Sequence, residues 1–85
     1  MTKGYVLISI EPGREMETYE CFLKLHGVKE VTPLLGDIDF ILLLIMDSEE
    51  AIANMVLKNI RTVPGVVSTK TLIQDNFLKH FEELM

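Results

Sequence analysis

Apolar residues along the chain switch between strand spacing and helix spacing, and the first part of the chain holds one element of each kind. The run Tyr5–Ile10 is rich in β-branched and aromatic side chains, which predicts a strand ended by the turn residues Pro12 and Gly13. A helix over 14–25 is predicted from four apolar residues at helical spacing: Met16, Tyr19, Phe22 and Leu23. Pro12 suits the first turn of this helix, and Gly27 suits its C-terminal cap.

Two further strands are predicted in the middle of the chain. Val28–Leu35 forms the first, and Pro33 within it cannot donate a ladder hydrogen bond, so this strand is expected at a sheet edge. Gly36 and Asp37 are typical of a tight turn between strands. Asp39–Met46 forms the second, which contains the most apolar run in the chain.

A second helix and a fourth strand are predicted after these. Asp47 is expected as the N-cap of the helix, with Glu50 three residues on completing a capping box. The buried stripe of this helix is expected to comprise Ile52, Met55, Val56, Ile60 and Val63. Pro64 and Gly65 end the helix, and Val66–Ile73 follows as the fourth strand.

The predicted order of elements is β-α-β-β-α-β followed by a tail. This split βαβ pattern predicts a ferredoxin-like α+β fold with a four-stranded antiparallel sheet and both helices on one face. The tail, 75–85, is expected to be a C-terminal helical extension with Asp75 as its cap. Its apolar side chains are expected on one face: Phe77, Phe81, Leu84 and Met85. The whole chain, 1–85, is expected to be one domain.

The predicted central strands lack the alternation that a sheet with one face in water shows. Residues Phe40–Met46 are all apolar, and only Ser9 interrupts the first strand. Since the two helices cover one face, we expect a second copy of the chain to cover the other, giving a dimeric α+β barrel. Leaving several large aliphatic side chains in water would cost several kcal/mol, at roughly 25 cal/mol per Å² of apolar area.

Composition and charge narrow the class of protein. The 85 residues include thirteen acidic and eight basic side chains, a net charge of −5, which disfavours direct binding to nucleic acid. The one cysteine, Cys21, cannot form an internal disulfide, and no Cys/His spacing predicts a metal site or a cofactor. The N-terminus does not resemble a signal peptide, and the longest apolar run is far shorter than the about 20 residues of a membrane span. A cytoplasmic location without membrane contact is therefore expected.

Two pairs of polar residues are candidates for binding chemistry. Asp37 and Asp39 face the same way if both lie in a strand, so they could hold the ammonium group of a ligand. Alternatively, Asp37 is a turn residue and Asp39 is a carboxylate in solvent, while catalysis is the least favoured interpretation because it requires two differently tuned carboxylates in a pocket. Gly36 is expected to adopt a positive φ angle. Thr69 and Thr71 share one strand face and either offer hydroxyls to a ligand carboxylate or serve as good strand formers.

An ordered series of short sequence segments resembles the effector-binding and oligomerisation domain of Lrp/AsnC regulators, also called the RAM domain. The segments are Tyr5–Ile10 with Pro12 and Gly13 after it, Gly27–Val31, Gly36–Asp39, Ile60–Val66 and Thr69–Thr71. Their order and spacing carry the resemblance, which covers residues 4 to about 74.

The resemblance implies a ferredoxin-like fold whose sheets pack face to face in a dimer, with dimers assembling into rings as octamers or decamers. Small effectors, usually amino acids, bind where dimers meet. The ligand-binding residues it implies are Gly36, Asp37, Ile38, Asp39, Thr69 and Thr71. The implied function is non-catalytic sensing of a small molecule and oligomerisation in the transcriptional regulation of amino-acid metabolism. Full-length Lrp/AsnC regulators are candidate further partners.

The sequence departs from the family pattern at two places. Ile38 stands where the family usually has an aromatic residue, and Phe40 follows two positions later. The tail, 75–85, extends past the usual domain end. Full-length members also carry an N-terminal helix-turn-helix, for which there is no room before Tyr5, so we expect a stand-alone domain that does not bind DNA itself.

An enzymatic function is the alternative, since ferredoxin-like chains include acylphosphatases and small α+β-barrel oxygenases or isomerases. An acylphosphatase needs a phosphate-cradling loop with Arg and Asn, for which Arg14 and Asn54 are weak matches. An oxygenase-type barrel would line a cavity with His, Tyr or Trp, and this chain has no Trp. Fold analogy alone does not supply a function. An RNA-recognition domain is disfavoured because the central strands lack basic and exposed aromatic residues.

Overall fold

The computed structural model describes residues 1–75, so the predicted C-terminal helix lies outside the described residues. Within that range the predicted order of elements is confirmed. The strands are β1 (Thr2–Ile10), β2 (Val28–Pro33), β3 (Phe40–Met46) and β4 (Val66–Ile73). The helices are α1 (Glu15–Leu23) and α2 (Glu49–Met55), and a π-helical segment, Val56–Ile60, continues α2. None of the helices among the described residues is long and apolar enough to cross a membrane.

The strands form one antiparallel sheet in the order β2-β3-β1-β4. The two most apolar strands, β1 and β3, lie at its centre. The edge position predicted for the strand that contains Pro33 is confirmed, because among the described strands β2 pairs with β3 alone. This order, with both helices on one side, is the ferredoxin-like α+β arrangement that the sequence predicts.

One face of the sheet packs against the helices to form the core. Along β1 and β3 every second side chain is buried, as the spacing of a strand with one covered face requires. The core consists of Val6, Ile8, Ile10, Phe40, Leu42 and Leu44 from the strands and Phe22, Ile52, Met55, Val56 and Ile60 from the helical segments. The ring of Phe40 lies 5.9 Å from the rings of both Tyr19 and Phe22, so these aromatic contacts hold α1 against the sheet.

The first helix is shorter than predicted and buries a different stripe. It ends at Leu23 with Lys24 as its C-cap, so the predicted cap Gly27 lies beyond it in the connection to β2. Of the predicted stripe, Phe22 is fully buried, but Met16 and Leu23 are 69% and 55% exposed. The expectation that these two residues face the core is wrong, because α1 turns its Phe22 side toward the sheet.

Thr18 is the buried residue of α1 that apolar spacing does not reveal. Its Cγ2 lies 3.0 Å from the position that a Cβ on Gly65 would occupy. Its hydroxyl donates to the carbonyls of Arg14 and Glu15 at 3.0 and 2.9 Å, so its polar atom is satisfied within the helix. The small side chain of Thr18, facing Gly65, therefore lets α1 approach the turn before β4 closely.

The second helix buries the predicted stripe but begins differently. Ser48, rather than the predicted Asp47, is the N-cap, because Ser48 has extended backbone angles and its hydroxyl accepts from the Ala51 N–H at 3.0 Å. The predicted residues Ile52, Met55, Val56 and Ile60 are buried, and Val63 is partly buried. Hydrophobic spacing therefore predicts which face of the helix is buried better than it predicts the residue at its end.

The π-helical segment has no counterpart in the sequence prediction. The Arg61 N–H donates to the Val56 carbonyl at 2.9 Å, a spacing of five residues rather than four. In a regular α-helix, residues four apart drift around the axis because a turn takes 3.6 residues. The π-helical turn holds more residues and so compensates for this rotation. Ala53, Leu57 and Arg61 therefore lie on one side of the helix, where they line a common groove.

Candidate functional site

The loop between β2 and β3 carries the predicted binding residues Gly36–Asp39. It is longer than the predicted tight turn, because β2 ends at Pro33 and β3 begins only at Phe40. The φ angle of Gly36 is +131°, in the region that favours glycine, so the prediction of a positive φ angle is confirmed. Leu35 beside it is fully exposed, so the tip of the loop projects into solvent.

Asp39 is bonded to the neighbouring strand. Its Oδ2 accepts from the Ile10 N–H at 2.7 Å, and its own N–H donates to the Ile8 carbonyl at 2.9 Å. The pairing of β1 with β4 shifts register between Ser9 and Ile10, and the carboxylate accepts an N–H at this irregularity. Asp37 is exposed, and its backbone carbonyl accepts from the Ser9 hydroxyl at 3.0 Å. One aspartate thus supports the fold directly, while the side chain of the other is exposed to solvent.

Thr69 and Thr71 lie on the helix-facing side of the edge strand β4. They pair with the core residues Ile8 and Val6 of β1, and residues opposite each other in a sheet share a face. A groove of about 700 Å³ opens between them and the second helix, a volume typical of small-molecule sites. This α2–β4 groove is lined by Glu49, Glu50, Ala53, Val56, Leu57, Arg61, Thr69, Thr71 and Ile73.

The charge of the residues that line the α2–β4 groove changes from one end of the groove to the other. Glu49 and Glu50 belong to the first turn of α2 and stand at one end, whereas Arg61 follows the π-helical segment at the other end. A polar hollow of about 340 Å³ adjoins the groove at Arg61 and Thr69, and Ser68 also lines it. The lining therefore offers donors, acceptors and apolar side chains, which suits the binding of a small molecule.

Seven residues of the groove wall were not predicted as binding residues from the sequence: Glu49, Glu50, Ala53, Val56, Leu57, Arg61 and Ile73. A signal for three of them exists in the spacing, because Ala53, Leu57 and Arg61 recur every four residues beside the buried stripe of α2. Leu57 is the informative member, since it is apolar and 56% exposed. The exposure of Leu57 thus agrees with its place in the groove wall.

The predicted binding residues are separated within one protomer. Asp39 precedes β3 and the threonines belong to β4, and β1 lies between these two strands. Two strand spacings amount to roughly 10 Å across the sheet. Thr69 and Thr71 face the helices, Ile38 is partly buried, and the loop that carries Ile38 stands at the end of the strands. A ligand that contacts both groups in one protomer would have to reach around β1.

The second sheet face carries no helix in the described part of the chain. Across the central strands, Tyr5 pairs with Leu43 and Leu7 with Ile41, and all four side chains are only half-buried. This open sheet face is the surface that the uninterrupted apolar run Phe40–Met46 predicts.

The turn before α1 does not present free anion-binding groups to a phosphate. The Gly13 N–H donates to the two carboxylate oxygens of Glu15 at 3.2 and 3.0 Å. Arg14 Nε donates to Glu17 at 2.6 Å, and this hydrogen bond raises the pKa of Arg14 and lowers the pKa of Glu17. Arg14 and the Gly13 N–H, which an acylphosphatase loop would use, are thus engaged by the chain's own carboxylates. Within residues 1–75, no group of three or more His, Cys, Asp or Glu side chains could hold a metal ion.

One family accounts for this arrangement over almost the whole chain. Residues 3–83 match the model of the Lrp/AsnC ligand binding domain, so the expectation that the tail, 75–85, lies past the usual domain end is wrong for all but its last two residues. The chain belongs to the Lrp/AsnC family. Its resemblance to Lrp/AsnC regulators is thereby confirmed, and the regulatory character of that family favours binding over catalysis. A comparison with curated proteins gave no match.

Solved structures share the fold of this Lrp/AsnC domain. FFRP-DM1 is 27% identical, with a TM-score of 0.83 over 88% of this chain and 100% of its own. TTHA0845 from Thermus thermophilus is 28% identical, with a TM-score of 0.83 over 88% of this chain and 94% of its own. The transcriptional regulator NMB0573 from Neisseria meningitidis, solved as a complex with L-Met, is 18% identical, with a TM-score of 0.78 over 87% of this chain. The match covers 49% of that regulator, so this chain spans about half of its length.

Proposed function

We propose that this Lrp/AsnC domain is a non-catalytic sensor that binds a small effector, an amino acid, and self-associates in the transcriptional regulation of amino-acid metabolism. The observation that carries this conclusion is the α2–β4 groove, which combines two hydroxyls, an apolar wall and charges of both signs in a volume that fits a small molecule. A cytoplasmic location and the absence of direct contact with nucleic acid are part of the proposed function, and the net charge of −5 supports the second part.

The proposed effector site is completed by a second copy. Thr69 and Thr71 supply one half from the groove, and the loop Gly36–Asp39 of another copy supplies the other half. The separation of these residues by β1 within one protomer, and the exposure of the loop, support this division. A small effector is also supported by the complex of the Neisseria regulator with L-Met.

Self-association is proposed to begin at the open sheet face. Leu7, Ile41 and Leu43 are half-buried there, and no described element lies over them. Covering several such side chains is worth several kcal/mol, at roughly 25 cal/mol per Å². A face-to-face dimer would therefore be favoured, and rings of such dimers as octamers or decamers are the proposed higher assembly, with full-length Lrp/AsnC regulators as candidate partners.

A thermal-shift screen of the twenty amino acids, followed by native mass spectrometry, tests the sensing function. At least one amino acid is expected to raise the melting temperature or change the oligomer size. Thr71→Val, which keeps the shape and strand propensity of the side chain but removes the hydroxyl, is expected to reduce that response. Thr32→Val on the edge strand β2, which lies outside the groove, is the matched control for the thermal-shift measurement and should leave the thermal shift unchanged.

Absence of any response among the twenty amino acids would show that the sensing part is wrong and leave a purely structural role in assembly. Turnover of an acyl phosphate by the wild-type domain, abolished by Arg14→Gln, would instead establish the enzymatic alternative.

A further inference from the structure

Opposite charges stand at the two ends of the α2–β4 groove with an apolar stretch between them. Glu49 and Glu50 occupy the end at the start of α2, and Arg61 occupies the other end. Between them the helix presents Ala53 and Leu57. A groove with this layout is complementary to a molecule that carries an anion at one end, a cation at the other and methylene groups in the middle.

These charged groups are available to a ligand. Among the described residues the ion pairs join Arg14 to Glu11 and Glu17, and none involves Glu49, Glu50 or Arg61. A guanidinium can donate two parallel hydrogen bonds to a carboxylate, and Thr69 lines both hollows together with Arg61. The Arg61 end is thus suited to a carboxylate and the Glu49 end to a cation.

The separation of the charges decides what kind of amino acid would use both ends. Glu50 and Arg61 are eleven residues apart in sequence, which corresponds to roughly 16 Å along a helix axis. The ammonium and carboxylate of an α-amino acid backbone are only about 3 Å apart, whereas the side-chain cation of an extended lysine lies about 7 Å from its carboxylate. The second separation requires less inward bending of the glutamate and arginine side chains than the first, so the groove favours a ligand with a side-chain cation.

We propose that the α2–β4 groove selects amino acids with a cationic side chain, binding the carboxylate at Arg61 and Thr69 and the side-chain cation at Glu49 and Glu50, an inference that rests on the proposed function. Leu57 and Ala53 contact the methylene groups of the ligand. The Arg61 end of the groove sets the affinity for amino acids in general. The end at Glu49 and Glu50 sets the preference among amino acids.

Isothermal titration calorimetry with L-lysine and L-norleucine separates these two roles, since norleucine has the same carbon chain without the terminal ammonium. The wild-type domain is expected to bind lysine about fivefold more tightly than norleucine, the ratio that one charged contact of about 1 kcal/mol supplies. The double variant Glu49→Gln with Glu50→Gln is expected to bind both ligands equally, with norleucine affinity unchanged. Arg61→Gln is expected to weaken both ligands by the same factor.

Glu20→Gln on the exposed side of α1 is the matched control, with one acidic charge removed away from the groove and no expected effect on either ligand. Melting temperatures of all variants check that the fold is retained. Equal affinity of the wild-type domain for lysine and norleucine, or a lysine preference that survives the double glutamine variant, would overturn the selectivity and leave amino-acid sensing intact. If no amino acid of any class binds, both the selectivity and the proposed function are wrong.

Discussion

Asp39 is predicted to contact a ligand, and it also stabilises the fold. Its carboxylate accepts the Ile10 N–H at 2.7 Å, at the point where β1 shifts register against β4. A backbone N–H that is partly buried must find an acceptor, and a charged acceptor makes a stronger hydrogen bond than a neutral one. Any change of effector binding on substitution of Asp39 will therefore include a change of stability.

Asp39→Ala is expected to lower the free energy of unfolding by about 1–3 kcal/mol, because it leaves the Ile10 N–H without its acceptor. Asp37→Ala is the matched control, since this residue contributes its backbone carbonyl and not its carboxylate to the hydrogen bond with Ser9. Urea denaturation of both variants measures the difference. Equal stability of the two variants would show that the carboxylate of Asp39 does not support the bulge.

At the scale of residues, the sequence predicts backbone requirements better than it predicts packing partners. Gly36 between two strands indicates a positive φ angle, and the angle is +131°. Thr18 gives no such indication, since its burial depends on Gly65, a residue far along the chain. The hydrogen bond from Ile10 to Asp39 is equally invisible, because it exists only once β1 and β3 are paired.

Ser48 fixes the start of α2 and with it the position of Glu49 and Glu50 at the end of the groove. Ser48→Ala is expected to lower the free energy of unfolding by about 1 kcal/mol, because the Ala51 N–H loses its capping acceptor. Asp47→Ala, one residue earlier, is expected to have a smaller effect, limited to the loss of a negative charge near the helix N-terminus. Urea denaturation at one salt concentration compares the two variants, and a larger loss in Asp47→Ala would assign the cap to Asp47.

Whole helices and strands can be predicted from hydrophobic periodicity, because buried positions recur at a regular spacing along each of them. The strand Val66–Ile73 has the predicted bounds, and the predicted stripe of α2 is buried. The π-helical segment Val56–Ile60 escapes prediction, because the apolar spacing of its buried residues also fits an α-helix. The groove beside this segment is not predicted either. A cavity is formed between elements, and no single stretch of sequence specifies their relative position.

For the whole molecule, the open sheet face is the feature on which the proposed self-association depends. Leu43→Arg is expected to leave the protomer folded, because Leu43 is only half-buried, and to prevent dimerisation, because the dimer would bury an unpaired charge. Sedimentation velocity should show a smaller species than the wild type, with an unchanged far-ultraviolet circular dichroism spectrum. Leu23→Arg, at a side chain that is 55% exposed on α1, is the control for adding an arginine elsewhere.

A wild-type protein that sediments as a monomer at micromolar concentration would contradict the expected dimer before any variant is made. If both arginine variants dissociate the assembly, the interface is not confined to the sheet.

The candidate site also belongs to the scale of the whole molecule. The sequence suggests Gly36–Asp39 and Thr69 with Thr71 as one set, because a family pattern reports residues that act together without saying on which copy they lie. The sheet order places β1 between them, and this is a property of the topology that residue spacing does not determine. The charged ends of the groove, Glu49 with Glu50 and Arg61, become visible only when α2 is packed on the sheet beside β4.

The two edges of the sheet are not equivalent, and this limits how sheets of different molecules can join. The outer strand β2 is short, has an irregular register with β3 at its start and ends in Pro33, which lacks an N–H group, so its free edge is a poor template for a further strand. The strand β4 has no proline, and in the described part of the chain no strand lies beyond it. A sheet that accepts a strand at one edge only can join a single other sheet through that edge, after which no receptive edge remains. The same proline that marks β2 as an outer strand thus also protects this apolar chain against open-ended fibre growth.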